Sequence, residues 1–431
     1  MTQGRPTLAL IFLTLIFVPI QAEVAGLVLT PLRLFLLACV PVLSVGLLMG
    51  RFGPLRLVDG LVIAYLGWAA LALAINSPAQ AVQNAGAGTV DFLGGYLIAR
   101  ASLRRARDFG IAAGWLGVLV TLSLPLAIWE TQTSTAPLMA LADALPGVTS
   151  DTDFTYLRLG VDRAQMGFPH PILYGLVCAS ALSLVVLGTT WSIPLRASIA
   201  ATVCAATLTS VSSAPALALV MQAGLIGWAC ATPGLRNRWL GLTAVLALAY
   251  LAVMIAANRP PLRLFLSLAT FTPETAFTRL SIFHWGMVNV QASPLFGLGL
   301  GDWTRPQGMS RSLDNFWLLT AMRHGLPALV CLAGAWVLLI AQTAGMRLTG
   351  DPDLARVRLA WIFSLLGVGF CLVTVHTWDA AYAYIAYLLG AGVWLLDAAP
   401  ERRTESPRRH PAPVYARDFH AAGQRPYRST L

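Results

Sequence analysis

Apolar runs of roughly twenty residues recur along this chain, the length a helix needs to cross about 30 Å of hydrocarbon. In that solvent each segment must satisfy its own backbone hydrogen bonds, so the runs are read as helices packed into a bundle. Of the 431 residues, 57% are hydrophobic and 11% charged, whereas a soluble domain carries about a quarter charged residues. The fold class that follows is an all-α polytopic membrane protein.

The hydropathy pattern predicts about twelve spans, near 7–22, 27–49, 57–76, 80–99, 108–129, 170–189, 196–212, 214–232, 238–257, 316–343, 357–376 and 380–397. Four regions result: a first bundle over 1–257 with a long loop at 130–168, a second long loop at 258–315, a last set of spans over 316–397, and a basic tail at 398–431. Arg5, Arg51 and Arg56, Arg100 to Arg107, Arg196, Arg236 and Arg238, and Arg347 to Arg358 fall on alternate sides of the spans. Positive charge marks the cytoplasmic side, so both termini are expected inside and both long loops outside. The first span has an apolar run and a cleavage-like Ala22, but Ile20 stands where a small residue is needed, so a retained helix is expected. The tail is rich in Pro and Arg and poor in apolar residues, which predicts disorder and attraction to anionic lipid.

All 29 basic side chains are arginine, which excludes Schiff-base and P-loop lysine chemistry. The net charge of +10 lies in loops and tail, as a membrane protein requires, so no nucleic-acid partner is expected. The six cysteines lie in apolar runs with no C-x-x-C pair and read as small buried hydrophobes.

Charge concentrates between Thr272 and Gly325, where the neighbouring sequence is almost wholly apolar. Thr272-Pro273-Glu274 is a helix start. Apolar residues from Phe277 to Val290, with Arg279 and His284 among them, predict an amphipathic helix on the outer membrane face, ended by Pro294. Gly297, Gly299 and Gly301 then read as a turn that lets backbones approach closely, since no strand precedes them as a dinucleotide site demands. Asp314-Asn315 opens the next span, and Arg323-His324-Gly325 interrupts it. Asp314 has two readings, a helix cap or a general base. In the earlier loop, Arg163 and His170 sit at the mouth of a span, and His170 reads either as a satisfied interfacial histidine or as a site residue. Gln80, Asn84 and Asp91 share one stripe of the fourth span, either bonding between helices or facing a wet cavity. The chain lacks HExxH, GxSxG, Walker A and EF-hand motifs and a paired-acid outer loop, so neither a metal nor a cofactor is expected.

These residues resemble the O-antigen ligase and O-antigen (exopolysaccharide) polymerase superfamily of membrane glycosyltransferases. Arg279, Trp285, Pro294, Gly297, Gly299 and Gly301 match its "R, five residues, W … P-x-x-G-x-G-x-G" pattern. Asp314-Asn315, nine residues, Gly325-Leu326-Pro327-Ala328 is similar to its "H-N, nine residues, G-x-x-G" pattern, and Arg163 to Pro171 to its "R-x-x-G-x-x-H-P" entry into a span. Asp314 stands where the family has histidine, and Ala328 where it has the second glycine.

The resemblance implies a glycosyltransferase-C-like enzyme of the bacterial inner membrane with both long loops periplasmic. Its substrate would be an undecaprenyl-pyrophosphate-linked oligosaccharide, its surroundings membrane lipid, and a chain-length regulator a possible partner. A pyrophosphate leaving group calls for planar, permanently charged guanidinium donors. Arg279 and Arg163 lead for that role, with Arg311 and Arg323 behind them. Asp314 would be the base, with His284 or His324 as rival, and His170 and Asn315 would contact the glycan or pyrophosphate. Aspartate at 314 turns the expectation from ligase to polymerase. Polarity gathered at one face, with no repeated halves, disfavours a transporter or flippase.

Overall fold

A computed structural model describes residues 6–24, 27–150, 157–235, 237–256, 273–309, 311–346, 348 and 351–398. The chain is a bundle of α-helices, and the described strands form only two short antiparallel ribbons. The first ribbon is β1 (Ala22–Val24) with β2 (Leu27–Leu29), and the second is β3 (Leu157–Arg158) with β4 (Val161–Asp162).

Nine described helices are long and apolar enough to cross a membrane. The other three expected spans are helical but fall short of that mark. The segment at 7–22 holds α1 (Thr7–Leu15), nine residues long, and the 27–49 span gives up its start to β2, leaving α2 (Pro31–Leu48). The segment at 196–212 is α8 (Ile193–Thr209), 17 residues. The span at 80–99 is α4 (Pro78–Ser102), 25 residues and long enough, but diluted by Gln80, Gln83, Asn84 and Asp91. Of these, Gln83, Asn84 and Asp91 line a cavity, and Asp91 also pairs with Arg33.

Two other helices prepare the site. α3 (Leu57–Asn76) precedes α4, and α14 (Asp379–Gly390) closes the described bundle. α4 and α14 cross where side chains are absent. A Cβ on Gly95 would sit 2.1 Å from the Ala383 carbonyl oxygen, and one on Gly390 2.5 Å from that of Tyr96. Small residues are how helices approach in lipid, where packing rather than water drives association. Asp91 lies one turn before Gly95, and Asp379 one turn before Ala383, so this contact sets the two acids side by side.

At the far end of α4 the Arg100 side chain is fully buried. Its Nε donates to Asp59 Oδ1 (3.2 Å) and its Nη groups to the Phe52 and Pro54 carbonyls (2.5 and 2.9 Å). The Tyr96 hydroxyl donates to the same Asp59 oxygen at 2.6 Å. A charge so placed is tolerated because nearly every donor has a partner.

The long loop after α5 (Ala106–Thr133) folds back on its own helix. Glu130 accepts from the backbone N–H groups of Gln165 and Met166, both at 3.0 Å. That return delivers the chain to α7 (Pro171–Gly188), most of whose residues are buried. The loop at 258–315 contains α11 (Pro273–Ala292); residues 257–272, including the capping Thr272, lie outside the described residues. Ile282 and Val290 of α11 pack on Leu318, Ala321 and Met322 of α12 (Phe316–Gly345), while Phe277, Phe283, Met287 and Val288 stay exposed.

Gly95→Ala should push α4 and α14 apart and lower stability by about 1–3 kcal/mol, the usual cost of overpacking. Gly88→Ala on the same helix, where a Cβ meets nothing within 4 Å, should be neutral or stabilising. Thermal unfolding of both variants in detergent checks the contrast.

Candidate functional site

A cavity of about 870 Å³ opens between α2, α3, α4, α12 and α14, toward the upper end of the roughly 300–1,000 Å³ of known ligand sites. Its walls differ in chemistry. One wall, from α2, α4 and α14, carries Arg33, Asn84, Asp91 and Asp379. From α12 and the segment before α14 come Arg323, His324, His376 and Thr377. Leu27, Leu37 and Val82 also line it, and their apolar side chains are exposed.

On the first wall Arg33 grips Asp91 with two bonds, Nε to Oδ1 at 3.1 Å and Nη2 to Oδ2 at 2.6 Å. The same Nη2 reaches Asp379 Oδ1 at 3.2 Å, and Nη1 donates to the Val28 carbonyl at 2.5 Å. One cation thus ties together β2's neighbourhood, α4 and α14. The carboxylate of Asp91 is 6% exposed and that of Asp379 45%.

α12 breaks at Gly325, where φ is 84° and ψ 170°. A side chain there is excluded, because a Cβ would lie 1.9 Å from the Leu295 carbonyl oxygen. The break frees backbone groups that the glycine turn takes up. Leu298 N–H donates to the Met322 carbonyl (2.7 Å), Gly299 N–H to that of Arg323 (3.0 Å), and Leu326 N–H to that of Pro294 (2.7 Å). Gly297 and Gly299 have φ of 65° and 62°, which glycine adopts without strain. The turn is anchored on its other side, where Phe296 stacks on Trp68 and Leu300 N–H donates to Ser77. The net effect is to aim Arg323 and His324 into the cavity.

The Nδ1 atoms of His324 and His376 and the Thr377 hydroxyl are buried and have no hydrogen-bond partner among the described residues. Buried polar atoms are normally partnered, and these three belong to residues that line the cavity. Burial, and then the nearby Arg323 charge, lowers the His376 pKa to about 3, leaving the ring neutral near pH 7.

Of the residues singled out from sequence, Asn84, Asp91, Arg323 and His324 line the cavity; Gln80, Arg163, His170, Arg279, His284, Arg311, Asp314 and Asn315 do not. Asn315, not Asp314, caps α12, its Oδ1 accepting from Leu318 N–H at 2.9 Å. Asp314 is exposed and accepts from the Ser312 hydroxyl at 2.7 Å. Arg279 lies within electrostatic reach of Asp314 and Arg158; burial lowers its pKa, and the Asp314 charge opposes that. Phe316, two residues beyond Asp314, lines the cavity, and Asp314 itself does not.

His284 is exposed and meets Trp285 edge to face at 5.6 Å. Arg311 is 85% exposed, with Asp302 3.9 Å away. Arg163 is buried and donates to the Ser210 carbonyl (2.9 Å) and the Ser212 hydroxyl (2.7 Å), holding the turn between α8 and α9 (Ser213–Ala231). His170 caps α7, its Nδ1 accepting from Ile172 N–H at 3.1 Å. Burial first, then Arg163 and Arg158, lower its pKa to about 4. Its ring contacts Trp378, itself part of the cavity wall.

Arg33, His376, Thr377 and Asp379 are among the cavity residues that sequence reasoning missed. The signal was present: an ionisable residue inside or bordering an apolar run marks a functional interior.

No protein-family model matches the chain, and no characterised protein does. Among solved structures it is similar to a chain from a study of structural coordination of polymerization and crosslinking by a peptidoglycan synthase complex. That similarity has a TM-score of 0.33 at 17% identity and covers 84% of this chain and 96% of that one. It is too loose to bear on function.

Loss of the α12 cap in Asn315→Ala should cost about 1 kcal/mol. Asp314→Ala should stay within about 0.5 kcal/mol of wild type. Paired denaturation curves in detergent distinguish the two.

Proposed function

We propose that this chain is a membrane glycosyltransferase that polymerises undecaprenyl-pyrophosphate-linked oligosaccharide repeats, of an O-antigen or exopolysaccharide. It would act at the periplasmic face of the bacterial inner membrane, with both termini cytoplasmic. The observation that carries this reading is a cavity lined by Arg323, His324 and His376 together with the exposed apolar side chains of Leu27, Leu37 and Val82. A lipid-linked sugar pyrophosphate has the three parts such a site asks for: a hydrocarbon tail, a permanent anion and a field of hydroxyls.

The leaving group is an anionic pyrophosphate, and Arg323 supplies the planar cation that stabilises charge developing there. Arg279, within electrostatic reach of Asp314 and Arg158, would supply a second cation. Arg163 and His170 fix the turn before α9 and the start of α7. The motif resemblance favours polymerase over ligase because Asp314 replaces the histidine of the ligase pattern. A chain-length regulator is the partner such a polymerase would have.

Deletion of the gene followed by glycan analysis tests the assignment. A polymerase leaves single repeats on the final acceptor, whereas a ligase leaves finished polymer on the carrier lipid. Unchanged glycan in both pools would sink both readings. Arg323→Ala and Arg279→Ala should each cut polymer formation by about 10²–10³-fold at normal protein abundance, the scale of losing one charge-stabilising donor. Normal polymer length in either variant would remove that arginine from the pyrophosphate role.

A further inference from the structure

Resting on the polymerase reading, we propose that His376 is a hydrogen-bond donor to the pyrophosphate of the lipid-linked substrate, acting through its Nε2–H beside Arg323. The two residues come from different segments, and a backbone contact brings those segments together. Phe316, Leu319, Thr320 and Arg323 line the cavity from one stripe of α12. His376 lies between α13 (Pro352–Cys371) and α14, in a stretch tied to the start of that stripe. Phe316 N–H donates to the Leu372 carbonyl (2.9 Å) and to the Val375 carbonyl (3.0 Å). Val375 immediately precedes His376, and Arg323 stands about two turns along α12 from Phe316. The Arg323 charge is accordingly within electrostatic reach of the His376 ring.

The surroundings of the ring decide what it can offer. Its Nδ1 is sealed and has no hydrogen-bond partner among the described residues; its Nε2, which no described residue bonds, is not sealed in this way. Orphaned buried N–H groups are rarer than buried acceptors left short of a donor. The neutral ring therefore keeps its proton on Nε2, the nitrogen left to reach the cavity that His376 lines. The ring is neutral near pH 7, and its one lone pair is shut in at Nδ1. It can donate to a ligand but has no free lone pair with which to take a proton. His324, next to Arg323, has its Nδ1 sealed in the same way.

A permanent cation beside a neutral donor, with no acceptor between them, selects an anion. A pyrophosphate spreads its charge over several oxygens, so the planar guanidinium and the imidazole N–H can each take a different one. The acids of the cavity, Asp91 and Asp379, both accept from Arg33, and Arg323 is exposed.

The test uses the full-length protein purified in detergent. Lipid-linked single repeats from the deletion strain are the substrate, and undecaprenyl pyrophosphate is the competing probe. His376→Ala should raise the inhibition constant of the probe about 10–100-fold, the scale of one hydrogen bond to a charged group. His376→Gln, whose amide N–H reaches close to where Nε2–H stands, should return it to within about fivefold of wild type and restore polymer formation with it. Glutamine cannot replace a base, so a His376→Gln variant as impaired as His376→Ala would overturn the proposal. An unchanged inhibition constant in His376→Ala, with the loss confined to KM for the repeats, would put the ring on the sugar and overturn it as well. Should His376→Ala fail to accumulate, His376→Phe, which keeps a planar ring without a donor, is read by the same criteria. Wild-type protein that neither binds the probe nor joins the repeats would overturn the polymerase reading itself. Polymer from wild type, with His376→Ala inhibited as strongly as wild type, would remove only the donor.

Discussion

The approach of α4 to α14 at Gly95 is the contact on which the cavity depends. With no Cβ at that point the backbones meet, and one turn away Asp91 and Asp379 are brought together. Two carboxylates side by side would repel strongly in an interior shielded from water. Arg33 from α2 resolves the conflict by donating to both and to the Val28 carbonyl. Packing places the acids, and the arginine makes their placement tolerable. The order matters, because a buried ion pair is weak evidence of stability, whereas it does fix which groups face each other.

A second device acts in α12. A helix broken in mid-span exposes donors and acceptors that lipid cannot satisfy. Here the break at Gly325 is covered by the turn from Pro294 to Leu300, which returns hydrogen bonds on both sides of it. The glycines of that turn therefore have a structural purpose, and the functional result is the orientation of the residues just before the break. Arg323 and His324 reach the cavity because α12 stops being a regular helix immediately after them.

Much of this was legible from the order of residues. Span positions follow from apolar length, and the break in α12 from Arg323-His324-Gly325 within an apolar run. The glycine turn follows from spacing and from the missing strand. Other features were hidden for physical reasons. Asp and Asn cap helices about equally well, so Asp314-Asn315 does not disclose which residue caps; the backbone gives that place to Asn315. Arg33 and Asp379 are 346 positions apart, and nothing local couples them. Arg163 and His170 look alike as site residues in sequence, yet their hydrogen bonds are used to hold a turn and a helix start.

Two sets of residues also restrict what the cavity can hold. A single guanidinium, Arg33, is shared by the carboxylates of Asp91 and Asp379. The same cavity is lined by Arg323 and the neutral ring of His376. A ligand that suits both sets of residues carries an anionic group together with hydroxyl groups. The exposed side chains of Leu37 and Val82 add a third requirement that free sugar phosphates do not meet, since they gain nothing from a ligand without a hydrocarbon chain. This combination, more than any single residue, is why the proposed substrate is a glycan on a lipid pyrophosphate rather than an ion or a soluble nucleotide sugar.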